Sequence, residues 1–163
     1  MRPLDTAALT FFESARGREA LRAVAELSPG LAGIKALRAQ DFTADEAAWL
    51  LDQASLRQRA LKKLGPESAG LLFTQEALEQ ASHRAVAEWR FGRLRDALGP
   101  EARVLEVGAA SGGDTLPLAR AGLRVLAAEL DPIRAGLLRW NLAAAGLTGQ
   151  VEVVEGDACK QSL

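Results

Sequence analysis

The stretch RVLEVGAASGGDTLPLAR, residues 103–120, decides the fold. A short apolar run with β-branched residues ends in an acid. Small residues and glycines follow, and then a helix-like pattern begins. This is the pattern of a strand that turns sharply into a helix. Glycine is required where a backbone must turn tightly and approach a ligand with no Cβ in the way. Gly108, Gly112 and Gly113 meet that need, and Ala109, Ala110 and Ser111 keep the loop small. The amides at the start of the following helix then point into the crevice beyond the strand.

The same grammar continues downstream. RVLAAEL reads as a second strand, DPIRAGLLRWNLAAAGL as a helix with Pro132 tolerated in its first turn, and VEVVEGDA as a third strand. Apolar strands alternating with helices predict a parallel sheet covered on both faces. Residues 1–99 read differently, as helix after helix. Thr43 and Glu46 form a capping box for a helix that Gly65-Pro66 ends. A second long helix is expected from Thr74 to Leu98, burying Leu78, Ala81, Ala85, Trp89, Leu94 and Leu98. Trp49, Trp89 and Trp140 are all expected as core anchors. The reading divides the chain into a helical unit, 1–99, and a nucleotide-binding unit, 100–163.

Composition narrows the function. Twenty basic residues stand against twenty-one acidic ones, so no overall basic charge points to nucleic acid. A single cysteine, Cys159, allows no internal disulfide. With His83 the one histidine, a metal site is not expected. No run reaches the length of a membrane span, and a cytoplasmic protein without membrane partners is the expectation.

Spacing then sorts the ligand classes. A phosphate-cradling P-loop ends in Gly-Lys-Ser/Thr, and residues 103–120 hold no lysine. GAASGG is similar to the turn of short-chain dehydrogenases. However, residues 1–102 precede this strand, Asp114 stands where a third glycine would pack, and the chain lacks the tyrosine such chemistry uses. The third class fits. Glu106-Val-Gly108-Ala-Ala110-Ser-Gly112 resembles the Asp/Glu-x-Gly-x-Gly-x-Gly loop of class I S-adenosylmethionine-dependent methyltransferases, with Ala110 in place of the middle glycine. Adenosylmethionine carries an ammonium and a sulfonium and no phosphate, so an acid beside the loop suits it and would repel a pyrophosphate.

The resemblance covers residues 101–158. It implies an α/β chain, with an N-terminal all-α domain followed by the first half of a Rossmann-like sheet of three parallel strands. It implies S-adenosyl-L-methionine as cofactor, with Glu106, Gly108, Ala110 and Gly112 around the methionine end. Glu129 would sit at the ribose hydroxyls and Asp157 at the adenine amino group. The helical region, through LRQRALKKLG and LFTQEALEQAS, is similar to that of bacterial THUMP-like-domain methyltransferases related to the trimethylguanosine-synthase group. That likeness places Thr74 near the cofactor, beside its plainer reading as a helix N-cap. It also makes RNA the implied substrate. Arg57, Arg59, Lys62 and Lys63 on one helix, with Arg84, Arg90, Arg93 and Arg95 on the next, are the candidate phosphate contacts, diluted by Glu67, Glu79, Glu88 and Asp96.

CKQSL follows Ala158, and no Asp-Pro-type substrate motif follows the third strand. No catalytic residue is therefore assigned. Two expectations follow. One is a truncated cofactor-binding half with little catalysis. The other is a non-catalytic module that completes its sheet as a homodimer through an exposed edge.

Overall fold

The strand–helix alternation expected after residue 100 is present in the computed structural model, which describes residues 2–24, 30–100 and 102–160. The helical part holds α1 (Thr6–Glu13), α2 (Ala15–Ala23), α3 (Leu31–Arg38), α4 (Ala44–Leu64), α5 (Gln75–Gln80) and α6 (Arg84–Leu98). Then come β1 (Arg103–Val107), α7 (Thr115–Arg120), β2 (Arg124–Glu129), α8 (Pro132–Ala145) and β3 (Val151–Glu155). Part of the turn expected before α3 falls on residues 25–29, outside the described residues.

Local signals account for most helix ends. The Thr43–Glu46 capping box forms in both directions, and Gly65 ends α4 with a positive φ. Asp131 caps α8 by accepting from the amides of Ile133 and Arg134, and Gly146 closes it in the left-handed conformation. One long element departs from expectation. The helix predicted from Thr74 to Leu98 is broken at Ala81–His83 into α5 and α6. The break resets the helical phase, so the α6 residues turned inward are Ala87, Phe91 and Leu94 at spacings of four and three. Trp89, expected in the core, is 64% exposed; Ala85 and Leu98 are exposed too. Trp49 is buried and Trp140 half-buried.

The three strands are parallel in the order β1-β2-β3, with Leu105 opposite Leu126 and Glu129 opposite Glu155. Strands laid down successively in one direction place both right-handed crossovers, α7 and α8, on one face. Val104, Val125, Ala127, Val151 and Val153 meet those helices in the core. On the opposite face β1 is uncovered among the described residues, whereas a sheet covered on both sides was expected. Leu105 is 47% exposed and Val107 66% exposed.

Two apolar clusters lie beneath the helices. One joins Leu56, Leu71, Phe73 and Phe91 of the helical part to Leu116, Leu123 and Leu138 of the alternating part. The other gathers Phe11, Phe12, Leu21, Phe42, Trp49 and Leu50, and takes in Leu137 of α8. Burial thus runs continuously from residues before β1 to those after it.

Candidate active site at the carboxyl ends of the strands

Parallel strands present ligand-binding loops at their carboxyl ends, and all three acids singled out in the sequence lie there. Glu106 is the penultimate residue of β1, Glu129 the last of β2, and Asp157 stands two residues past β3. Between β1 and α7 runs the glycine loop. Gly108 and Ala109 donate their amides to the Ala128 carbonyl at 2.8 and 3.1 Å, which fastens the loop to β2. Gly108 has φ +77°, and a Cβ built on it would meet nothing within 4 Å. The glycine therefore opens onto free space at the strand ends. Gly112 (φ +95°) serves packing. A Cβ there would come within 2.7 Å of Leu116 and 2.8 Å of Leu138, atoms locked between α7 and α8.

Ala110 occupies the left-handed region at φ +50°, which glycine favours and a side chain strains. Its amide donates to Glu129 Oε2 at 2.7 Å, while Glu129 Oε1 accepts from the amide of Asp131 at 2.9 Å. Glu129 is thus oriented by two backbone donors, one on each oxygen, and is buried. A carboxylate oxygen has a second lone pair, so each can accept one bond more. Asp157 is half-buried and accepts from the Cys159 amide, capping the short 3-10 turn Ala158–Lys160.

Glu106 is the acid whose chemistry is most altered. Its Oε2 accepts from the Thr115 hydroxyl at 2.6 Å. Burial pushes its carboxyl up to about 7. The Thr115 hydrogen bond works the other way, the Asp114 charge adds to the rise, and Arg90 opposes it. Arg90 reaches across from α6 to bind Asp114 Oδ2. Thr115 carried no site signal in the sequence, and Arg90, read there as a candidate phosphate contact, is instead paired with Asp114.

Thr74 is the N-cap of α5, its hydroxyl accepting from the Ala77 amide. The residues before it are held in an unusual way. Leu71–Phe73 is a buried non-helical segment whose backbone has no strand to pair with. Two side-chain amides stand in for one. Gln53 of α4 donates to the Phe73 carbonyl at 2.8 Å and accepts from its amide at 3.0 Å. Asn141 of α8 accepts from the Leu72 amide at 2.7 Å, and its Nδ2 donates to the Leu72 carbonyl at 2.9 Å. Asn141 Nδ2 also donates to the Ser111 carbonyl, at 2.8 Å, so one buried amide ties this segment to the glycine loop.

Most candidate phosphate contacts are committed elsewhere. Arg57 donates to the carbonyls of Leu21, Gly70 and Leu71, and burial pulls its guanidinium down to about 10. Lys63 binds the carbonyls of Leu78 and Glu79. Arg59 pairs with Glu79, Arg84 with Glu67 and Glu88, and Arg95 with Asp96.

The donor set is acidic around an open glycine loop, with no lysine in that loop. It fits a ligand bearing cations and hydroxyls better than one bearing phosphates. No family model matches the chain. It is 34% identical over 121 residues to an uncharacterized S-adenosylmethionine-dependent methyltransferase of Mycobacterium tuberculosis, a match covering 71% of this chain. The chain spans only 30% of the length of that relative. A catechol O-methyltransferase of Niastella koreensis is 32% identical over 102 residues, which are 58% of this chain and 46% of that one. A putative methyltransferase from Porphyromonas gingivalis W83 matches in structure with a TM-score of 0.68 at 20% identity. That match covers 96% of this chain and 37% of the other. The fold is that of a class I methyltransferase, represented here by its glycine loop and three parallel strands.

Replacing Asn141 by Leu leaves the Leu72 amide and carbonyl and the Ser111 carbonyl buried without partners. The expected cost is about 3 kcal/mol in urea unfolding. Hydrogen exchange should show the Leu72 amide losing protection while that of Phe73, held by Gln53, keeps it. Glu106→Gln probes the raised carboxyl. An acid whose folded-state value lies above its unfolded one stabilises fully only below about 4.5, and that contribution is lost as pH rises through about 7. The Gln variant should therefore be the more stable at pH 8, by on the order of 3 kcal/mol. Chemical denaturation should show the gap closing toward pH 4.5.

Proposed function

We propose that this chain binds S-adenosylmethionine at the carboxyl ends of its strands, as the cofactor side of a methyltransferase. The observation that carries this reading is the set of three acids about a loop whose glycine opens onto free space. Glu106 faces the methionine end, where an ionised carboxylate balances the ammonium. Glu129 retains a free lone pair on each oxygen for the ribose hydroxyls, and Asp157 stands at the adenine side. Bound adenosylmethionine supplies an electrophilic methyl group on sulfur. This chain's own residues would bind and orient it, with Thr74, the N-cap that follows the buried Leu71–Phe73 segment, read as a further contact. The mycobacterial and Niastella methyltransferase relatives support the same reaction class.

The finer reading, a THUMP-like cytoplasmic enzyme acting on RNA, rests on one surface feature. Trp89 lies exposed on α6 with the Arg93 guanidinium 5.3 Å from its ring centroid, and no carboxylate partners Arg93 among the described residues. An exposed indole with a cation on its face is the arrangement on which unpaired bases stack. A second reading, a non-catalytic module that completes its sheet by dimerisation, is favoured by the exposed Leu105 and Val107 on β1. That strand pairs on one side only among the described residues.

Calorimetry tests the cofactor reading. Adenosylmethionine should bind, and Glu129→Ala should weaken it by about tenfold or more, the scale of hydrogen bonds to a charged group. Affinity should rise as pH passes through about 7, where Glu106 ionises, and fall again near 8 as the ligand's own amine loses its proton. A folded sample giving no heat with the ligand refutes it. For RNA, Trp89→Ala should lower affinity for a single-stranded oligonucleotide by about fivefold or more. Unchanged binding removes RNA from the reading. For the dimer, sedimentation should show a concentration-dependent species that Val107→Lys abolishes and adenosylmethionine leaves alone. A monomer at all concentrations ends that alternative.

A further inference from the structure

Beside the glycine loop lies a cavity of about 280 Å³. Leu64, Phe73, Ala77, Leu116, Pro117 and Ala121 form its walls, and Ser111–Gly113 closes one end. Of the residues read as holding the cofactor, Gly112 borders it, while Glu106, Gly108, Ala110, Glu129 and Asp157 do not. It is bounded by the end of α4, by α5, α6 and α7, and so meets the cofactor site proposed above only at the back of the glycine loop.

Gly92 shows that this space is not a packing defect forced by crowding. It sits inside the fifteen-residue α6 and lines the cavity. Glycine weakens a helix interior relative to alanine. A Cβ built on Gly92 would meet nothing within 4 Å, so a side chain that would strengthen the helix fits and is missing. A concave site lined mostly by apolar side chains with a few polar groups at its edge is the usual form of a small-molecule pocket.

Charge at the mouth selects among such molecules. Arg84 is held by Glu67 and Glu88, and Arg95 by Asp96. Arg120, exposed at the end of α7, has no carboxylate partner among the described residues. One uncommitted cation over an apolar interior matches a ligand with an apolar body and a single negative end. A second anionic group would lie without a partner beside Glu67 and Glu88. The volume falls just below the usual range of roughly 300–1,000 Å³ for small-molecule pockets, so the ligand is small. We propose that this cavity is a binding site for a small apolar monocarboxylate, with Arg120 holding the carboxylate at the mouth. The proposal does not depend on adenosylmethionine binding.

Titration of the full chain with octanoate and with 1-octanol, followed by nitrogen-15 amide shifts, tests it. Octanoate should shift the amides of Ser111, Gly112, Gly113 and Gly92 saturably, and bind about fivefold tighter than 1-octanol, the scale of one exposed ion pair. Arg120→Gln should erase that advantage and leave 1-octanol unchanged. Gly92→Leu, which fills the cavity, should abolish both interactions while circular dichroism shows the fold retained. Equal affinity for the two probes in the wild-type chain overturns the proposal, as does octanoate binding that survives Gly92→Leu. Should Gly92→Leu fail to fold, the Arg120→Gln comparison decides alone.

Discussion

The buried amide of Asn141 is the contact on which the rest of this structure depends. Leu71–Phe73 crosses the interior without regular secondary structure, and buried backbone groups without partners are among the costliest features a fold can carry. Asn141 satisfies both polar groups of Leu72 and still donates to Ser111, while Gln53 satisfies both of Phe73. The two amides come from opposite sides, α4 and α8, and together act as the missing neighbouring strand. A hydrophobic residue at either position would fill the volume and strand the backbone. The helical part and the glycine loop are thereby fixed to each other through hydrogen bonds with strict geometry as well as through apolar packing.

This arrangement separates what the sequence shows from what it hides. Features decided within a few residues were legible. The capping box at Thr43 and Glu46, the stop at Gly65, the strand–loop–helix at 103–120 and the acids at three strand ends all follow from local chemistry. Features decided by phase or topology were not. The Trp89 stripe fits one uninterrupted helix, yet a three-residue break at 81–83 rotates the later turns and sends the indole to solvent. The pattern RVLEV reads as buried on both sides, yet the strand order β1-β2-β3 puts both crossover helices on one face and leaves Leu105 and Val107 open. The side chains that tether the candidate site lie hidden for a third reason. Asn141 is 69 residues from Leu72, and Arg90 is 24 from Asp114. No periodicity in a single chain encodes such meetings.

The glycine loop itself shows how these two kinds of information combine. Ala110 stands where the resemblance expects glycine, and it holds a left-handed conformation that a Cβ makes unfavourable. Such strain persists only where the surroundings over-determine it. Three independent anchors do so: the Ala128 carbonyl binds the amides of Gly108 and Ala109, Glu129 binds that of Ala110, and Asn141 binds the carbonyl of Ser111. The loop is therefore set before any ligand arrives, and binding need not bear the entropy of ordering it. The same anchoring constrains the ligand. Glu129 already spends one lone pair of each oxygen on its own backbone, so a hydroxyl-bearing partner must approach the remaining two from the strand-end side. The acid proposed to meet the ribose is thus also the acid that holds the strained residue beside it. Under the proposed reading, substitution at Glu129 would act on the loop and the ligand together, whereas Asp157, which caps the Ala158–Lys160 turn and pairs with Lys160, makes no contact with the glycine loop among the described residues.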